Sequence, residues 1–428
     1  MAVMDLSKAA PDSVAAILSR RGGGFSRAVA GARRTVEGVR RGGDAALRSY
    51  AVEFEGFVGG SLRVTDDEIQ AASERTPAKV MSALRTAKRR IEGFHRRQRL
   101  EEFEFRDSMG RYGQRVVPLD RVGVYVPGGT AAYPSSVLMA CVPARIAGVH
   151  EVAIFTPGRG GKVGDATLAA AGICGVEEVY AVGGAQSVAA MVYGTETIRK
   201  VQKIVGPGGA YVTAAKQLVR NECEIDSIAG PSEVLIVADR TADPWLVACD
   251  MLAQLEHDTL AKAILVTDSM DLAASAERDL AALVSSADRR DVASSAAERG
   301  ASFVLVRDMD EAIGFSNRYA PEHLLIDTAD PWSLLDGVRS AGSVFLGRHS
   351  SVAFGDYCSG TNHILPTNGT AAASSALSVY DFIKVMPYQE MSEAGAYAMS
   401  RVVATLASAE GLPGHAQAAL ARAGRVTR

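Results

Sequence analysis

A chain of 428 residues is too long for one hydrophobic core, so several domains are expected. With 47% hydrophobic and 22% charged residues it has the makeup of a soluble globular protein, and a net charge of -3 excludes a general pull toward nucleic acid or anionic lipid. The five cysteines, at 141, 174, 223, 249 and 358, form no CxxC pair or disulfide framework; with no apolar leader and no membrane-length run, the cytoplasm is the expected compartment.

In chain order, residues 1–110 are expected to be a helical N-terminal region packed on the core. Asp12-Ser-Val-Ala-Ala-Ile-Leu-Ser and Asp66-Asp-Glu-Ile-Gln-Ala-Ala both set acids or caps before a helical apolar period. The basic run from Arg85 to Arg97 is taken as a solvated helix face, because Glu101-Glu-Phe-Glu-Phe balances it at once. Residues 111–230 form a first α/β domain, with strands at 122–126, 152–155, 179–182 and 204–205 and helices starting near Ser135, Asp165, Gln186 and Tyr211. Residues 231–370 form a second, with strands at 234–238, 264–267, 303–306, 324–326 and 344–346. Residues 371–428 are expected to be helical, including Ser378-Val-Tyr-Asp-Phe-Ile-Lys and the stretch from 388 to 425. The fold class is therefore α/β: two Rossmann-like parallel-sheet domains facing a cleft, with helical N-terminal and C-terminal segments.

Three glycine turns follow strands and precede helices in the first domain: Tyr125-Val-Pro-Gly-Gly129, Gly183-Gly-Ala-Gln186 and Gly206-Pro-Gly-Gly209. Glycines there let backbone amides approach a phosphate or ribose, so together they mark a nucleotide edge. Gly158-Arg-Gly-Gly-Lys162 fits neither dinucleotide nor phosphate-loop spacing and is taken as a plain turn. Asp226-Ser-Ile-Ala-Gly-Pro-Ser232-Glu233 serves as a tight linker between the sheets, with Ser232 offering a hydroxyl to the cleft.

The histidines carry the remaining signal. Four of the seven lie in short polar patches beside carboxylates: Gln254-Leu-Glu-His257-Asp, Ala320-Pro-Glu322-His323, Gly355-Asp356 through His363, and Glu410 through His415. Gln254 and His257 end an expected helix three residues apart, a spacing that puts both on one face. Asp356 and His415 complete a candidate four-ligand set with them, and two imidazoles, a carboxylate and an amide oxygen suit Zn²⁺, or Mn²⁺. Glu322 and His323 are a candidate acid–base pair. His95, His150 and His349 lack such neighbours and are taken as surface or packing residues.

These segments resemble the histidinol dehydrogenase family. Val122-Gly-Val-Tyr-Val-Pro-Gly-Gly, Tyr133-Pro-Ser-Ser-Val-Leu-Met, Val182-Gly-Gly-Ala-Gln, Ala229-Gly-Pro-Ser-Glu-Val-Leu, Gln254-Leu-Glu-His-Asp, Ala320-Pro-Glu-His-Leu, Gly355-Asp-Tyr and Ser359-Gly-Thr-Asn-His-Ile-Leu-Pro-Thr stand in that family's order. The resemblance implies a homodimeric enzyme with one Zn²⁺ per subunit that uses NAD to oxidise a small-molecule alcohol, L-histidinol, to L-histidine in two hydride steps. It implies that Gln254, His257, Asp356 and His415 hold zinc and that Glu322 and His323 transfer protons. Ser232, Gln254, His257, His323, Asp356, His363, Glu410 and His415 would meet substrate, and Tyr125, Gln186 and Gly209 would meet NAD. Glu410 and His415 would come from the partner subunit, giving shared active sites with no nucleic-acid or membrane partner.

Two positions depart from the family pattern. Gly209 stands where members usually carry Asn and leaves only backbone to contact NAD. Val352, four residues before Asp356, replaces a glutamate found near the substrate in many members, which bears on substrate choice. Alternatives are a related oxidation of another polar alcohol such as a sulfonated diol, a zinc hydrolase using Glu322 to activate water, and a non-catalytic two-lobed binding protein. Cys141 and Cys358 have no neighbouring His or Lys to activate them, so no thiohemiacetal step is expected.

Overall fold

The computed structural model describes residues 3–18, 25–128, 132–158, 160–228 and 230–423. Gly129, Arg159 and Ala229 of the turns named above lie outside them. The N-terminal region runs β1 (Met4–Asp5), α1 (Pro11–Leu18), α2 (Phe25–Glu55), β2 (Arg63–Val64), α3 (Asp66–Arg75), α4 (Ala78–His95), β3 (Phe103–Arg106) and β4 (Gly110–Pro118). Thr65 and Glu68 close a capping box on α3, satisfying amides that the first turn leaves open. Gly43 kinks α2 at φ 51°, and Glu196 accepts the Asp44 N–H at the break.

The first α/β unit follows as β5 (Arg121–Tyr125), α5 (Pro134–Ala147), β6 (Glu151–Phe155), α6 (Asp165–Ile173), β7 (Glu178–Tyr180), α7 (Gly184–Tyr193), β8 (Lys203–Val205), α8 (Ala210–Val219) and β9 (Glu224–Ile225). Its sheet has the order β2-β7-β6-β5-β8-β9, parallel except for β2. Helices cover both faces, which is why β5 is buried at every position and carries no charged residue after Arg121, itself paired with Glu178.

The second unit comprises β10 (Glu233–Ala238), α9 (Pro244–Leu255), β11 (Lys262–Thr267), α10 (Met270–Ser286), α11 (Arg290–Gly300), β12 (Ala301–Leu305), α12 (Met309–Tyr319), β13 (His323–Asp327), α13 (Trp332–Leu335), β14 (Ser343–Leu346) and α14 (Val352–Tyr357). Its six strands are all parallel, ordered β1-β12-β11-β10-β13-β14. The chain ends with β15 (Ile383–Met391), α15 (Glu393–Ala409) and α16 (Pro413–Leu420).

The two terminal segments are more than helical. β1 and β2 extend the two parallel sheets, and β15 pairs antiparallel with β4 over nine residues, Gly110↔Met391 to Pro118↔Ile383, with β3 outside. Residues 383–391, expected as loop and helix, are this ribbon strand. Nearly every residue of β15 is exposed, so it lacks the alternating apolar face by which a strand is recognised. Beyond the ribbon, α15 and α16 pack on each other as an arm that leaves Tyr397 (65% exposed), Val402, Leu406 and Leu412 open. Among the described residues no helix is long and apolar enough to cross a membrane.

Candidate active site

The site begins with a strand register. β10 and β13 are neighbours with Val234 opposite His323, so Glu233 and Glu322 flank each other at the amino edge of the second sheet. Helix α9 crosses back between β10 and β11, so its carboxyl end, carrying Gln254, arrives at that same edge. Glu322 and His323 are 5% and 4% exposed. The Glu233 backbone holds both: its N–H donates to Glu322 Oε2 at 2.8 Å, and its carbonyl lies 3.1 Å from His323 Nδ1. A carbonyl only accepts, so Nδ1 is the donor and Nε2 is the nitrogen left for chemistry.

Among the described residues His323 Nε2 is buried without a hydrogen-bond partner, 3.6 Å from Asp356 Oδ1; Nδ1 is 3.7 Å from Glu322 Oε2. Burial pushes the Glu322 carboxyl up to about 7, against the pull of His323. Burial disfavours the His323 cation, but the Glu322 and Asp356 carboxylates outweigh it and raise its pKa to about 9. Burial likewise opposes the Asp356 carboxylate, yet His323, His363 and His257 hold it below the usual range.

His363 bridges the two units. Its Nδ1 donates to the Asp356 carbonyl at 2.8 Å, leaving Nε2 to accept from the Ser136 hydroxyl of α5 at 3.2 Å. Burial keeps this imidazole below its ordinary pKa. Neighbouring Asn362 donates to the Met139 carbonyl at 2.7 Å and reaches the buried His95, so His95 is a packing residue of this seam, while His150 and His349 are exposed.

The remaining candidates divide. Helix α9 stops at Leu255, so Gln254 and His257 do not share a continuous helix as expected. Instead the His257 N–H closes a turn on the Gln254 carbonyl at 3.2 Å, leaving Gln254 buried and His257 exposed. The Ser351 hydroxyl donates to Asp250 and ties α9 to the start of α14, and His257 is near enough to help lower the Asp356 pKa. Ser232 is half-buried beside Glu233. Glu410 and His415 are exposed on the C-terminal arm, and among the described residues neither side chain makes a hydrogen bond or ion pair with this cluster.

Within one chain no three His, Cys, Asp or Glu side chains converge on a metal position among the described residues. The chain brings His257, Asp356 and the Gln254 amide, whose Nε2 is buried and without a partner among the described residues. The two ends of a carboxamide are alike in shape, so its oxygen can face the same position. Two nitrogen or oxygen ligands plus an amide, short of one more ligand, fit a zinc centre completed from elsewhere.

The three glycine turns stand at one edge of the first sheet, since β5, β7 and β8 run parallel. A Cβ at Gly183 would meet Pro157 at 2.8 Å, and Gly184 has φ +62°, so this turn is shaped for bare backbone. Gln186 is buried and donates to Glu55 Oε1 at 2.7 Å; Tyr125 Oη accepts the Gly184 N–H at 3.4 Å. Gly209 caps α8 without a side-chain bond, and a Cβ there would meet nothing within 4 Å among the described residues. The space for a larger residue is therefore present and unfilled. Val352 is buried in the apolar cluster with Phe345 and Met251. The residues the sequence did not single out are Glu233, which looked like the end of a linker, Ser136, Asp250 and Glu55.

The model of the histidinol dehydrogenase family matches residues 19–423. Histidinol dehydrogenase of Methanothermobacter thermautotrophicus is 49% identical over 382 residues, covering 89% of each chain, and that of Halobacterium salinarum is 46% identical over 423 residues, covering 98% of each. The crystal structure of histidinol dehydrogenase from Elizabethkingia anophelis superposes with a TM-score of 0.93 at 34% identity, over 99% of this chain and 98% of that one. With the match running nearly end to end, the chain belongs to the histidinol dehydrogenase family of oxidoreductases.

Proposed function

We propose that the protein oxidises L-histidinol to L-histidine in two hydride transfers, with zinc and NAD. The observation that carries this reading is the Glu322–His323 pair, buried and clamped by one backbone residue beside Asp356. When bound, zinc would anchor the amino alcohol and NAD would accept hydride. Gln254, His257 and Asp356 would hold the metal, with His415 of a second copy as fourth ligand. His323 in its neutral form takes the hydroxyl proton on Nε2. The carboxylates on either side, which raise its pKa to about 9, stabilise the imidazolium so formed, and a metal held by Asp356 would favour the neutral form beforehand. Glu322, with its pKa near neutrality, activates water for the aldehyde stage.

The reading includes a homodimer, supported by the apolar residues left open on the C-terminal arm, and a cytoplasmic location. A second substrate, another polar alcohol such as a sulfonated diol, is favoured by one observation: Val352 is a core residue and supplies no carboxylate to a cationic substrate. NADH formation with L-histidinol and with a panel of diols, before and after chelation and zinc return, tests both. Chelation-sensitive NADH formation with L-histidinol is expected; turnover of diols alone transfers the reading to the second substrate, and no NADH with any alcohol overturns it.

A further inference from the structure

Glu55 is the last residue of α2, in a region whose sequence suggested packing alone, yet its carboxylate reaches the amino end of α7. Oε1 accepts from the Gly183 N–H at 2.9 Å and from Gln186 Nε2 at 2.7 Å; Oε2 is buried and has no side-chain partner among the described residues. Its burial opposes the charge of this carboxylate. Burial raises its pKa, opposed by the neutral donors Gly183, Gln186 and Gly158 at and beside the α7 amino end. Among the described residues no basic side chain shares in holding this charge. Tyr125, whose buried phenol is pushed up to about 12 and so stays neutral, stands over the same turn.

A helix amino end at a glycine turn is where a dinucleotide phosphate would ordinarily sit. Here an internal carboxylate already occupies it. What the turn offers a dinucleotide is one fixed negative charge among neutral hydrogen-bonding groups, a surface that suits ribose hydroxyls and repels phosphate. Dinucleotide sites that take an unmodified ribose set a carboxylate near its 2′-hydroxyl, and those that take a 2′-phosphate set an arginine near it.

We propose that Glu55 determines dinucleotide specificity: its carboxylate orients Gln186, favours an unmodified ribose and rejects a 2′-phosphate. This rests on the NAD reading above. The test measures binding of NAD and NADP to the full-length protein by titration calorimetry, alongside melting temperature, for wild type, Glu55→Gln and Glu55→Ser. Glu55→Gln keeps the size and the acceptor for Gly183 but removes the charge; Glu55→Ser serves if the amide does not fold. Wild type is expected to bind NAD in preference to NADP, and a folded neutral variant to narrow the ratio of dissociation constants by about tenfold or more, chiefly through tighter NADP. A purely structural Glu55 would weaken both dinucleotides alike and leave the ratio unchanged, which overturns the proposal. Equal binding of both by wild type also overturns it while leaving the NAD reading intact. Binding of neither removes both.

Discussion

His323 and Glu233 are joined side chain to backbone, Nδ1 to carbonyl at 3.1 Å, across two adjacent parallel strands. The bond fixes both the ring orientation and the identity of the free nitrogen, since Nε2 alone remains toward Asp356. Glu233 is itself pinned: Tyr319 donates to Oε2 at 3.0 Å and the Asn368 N–H to Oε1 at 3.2 Å.

Removing this base has a defined cost. His323→Ala is expected to slow alcohol oxidation by at least about 10²-fold, the ordinary worth of a positioned general base. Glu322→Gln is expected to slow aldehyde oxidation more than the alcohol step, because water is consumed only there. Single-turnover rates with each substrate separate the two, and equal losses would remove the division of roles.

The metal set is expected to span two chains. His257→Ala and His415→Ala should each lose zinc, measured by elemental analysis, and activity, while remaining folded. Subunits of the two variants, mixed and exchanged at equal amounts, should recover roughly a quarter of wild-type activity, since half the dimers are mixed and each holds one complete site. Exchanged mixtures with no activity would show that His415 serves its own chain or no metal.

A buried ion pair fixes the Gly206 turn. Lys216, 2% exposed, donates to the Gly206 carbonyl at 3.0 Å and to Asp226, whose other oxygen accepts the Gly206 N–H at 2.7 Å. Lys216→Met should destabilise the fold by about 3–5 kcal/mol, because Asp226 is left buried and unpaired. Lys216→Met combined with Asp226→Leu should lose less than the single change. Denaturant unfolding measures both, and a single variant within 1 kcal/mol of wild type, on the order of a surface change, would contradict the pairing.

His95 should make the fold acid-sensitive. It is wholly buried, and burial holds its pKa below the ordinary value of 6.5. The unfolded chain therefore takes up a proton below pH 6.5 that the folded chain refuses, so this contribution is present above that value and lost as pH falls through it. The slope is at most about 1.4 kcal/mol per pH unit for one proton. Unfolding free energies of wild type and His95→Gln at pH 7.5 and about 5.5 should show a shallower acid loss in the variant; parallel losses would place the sensitivity elsewhere.

The sequence by itself determined the α/β architecture, because strands buried on both faces must be apolar throughout: Val234-Leu-Ile-Val-Ala and Val122-Gly-Val-Tyr carry their layer in their composition. Its motifs likewise named the family. The β4–β15 ribbon was not legible, since an exposed strand has no apolar period to display. Tertiary structure alone decided the neighbours of the site. Glu233 meets His323 through a strand register spanning 90 residues, and Glu55 meets Gln186 across 131. Contacts of that kind depend on which backbone atoms two distant segments bring together, and neither residue type nor spacing records that.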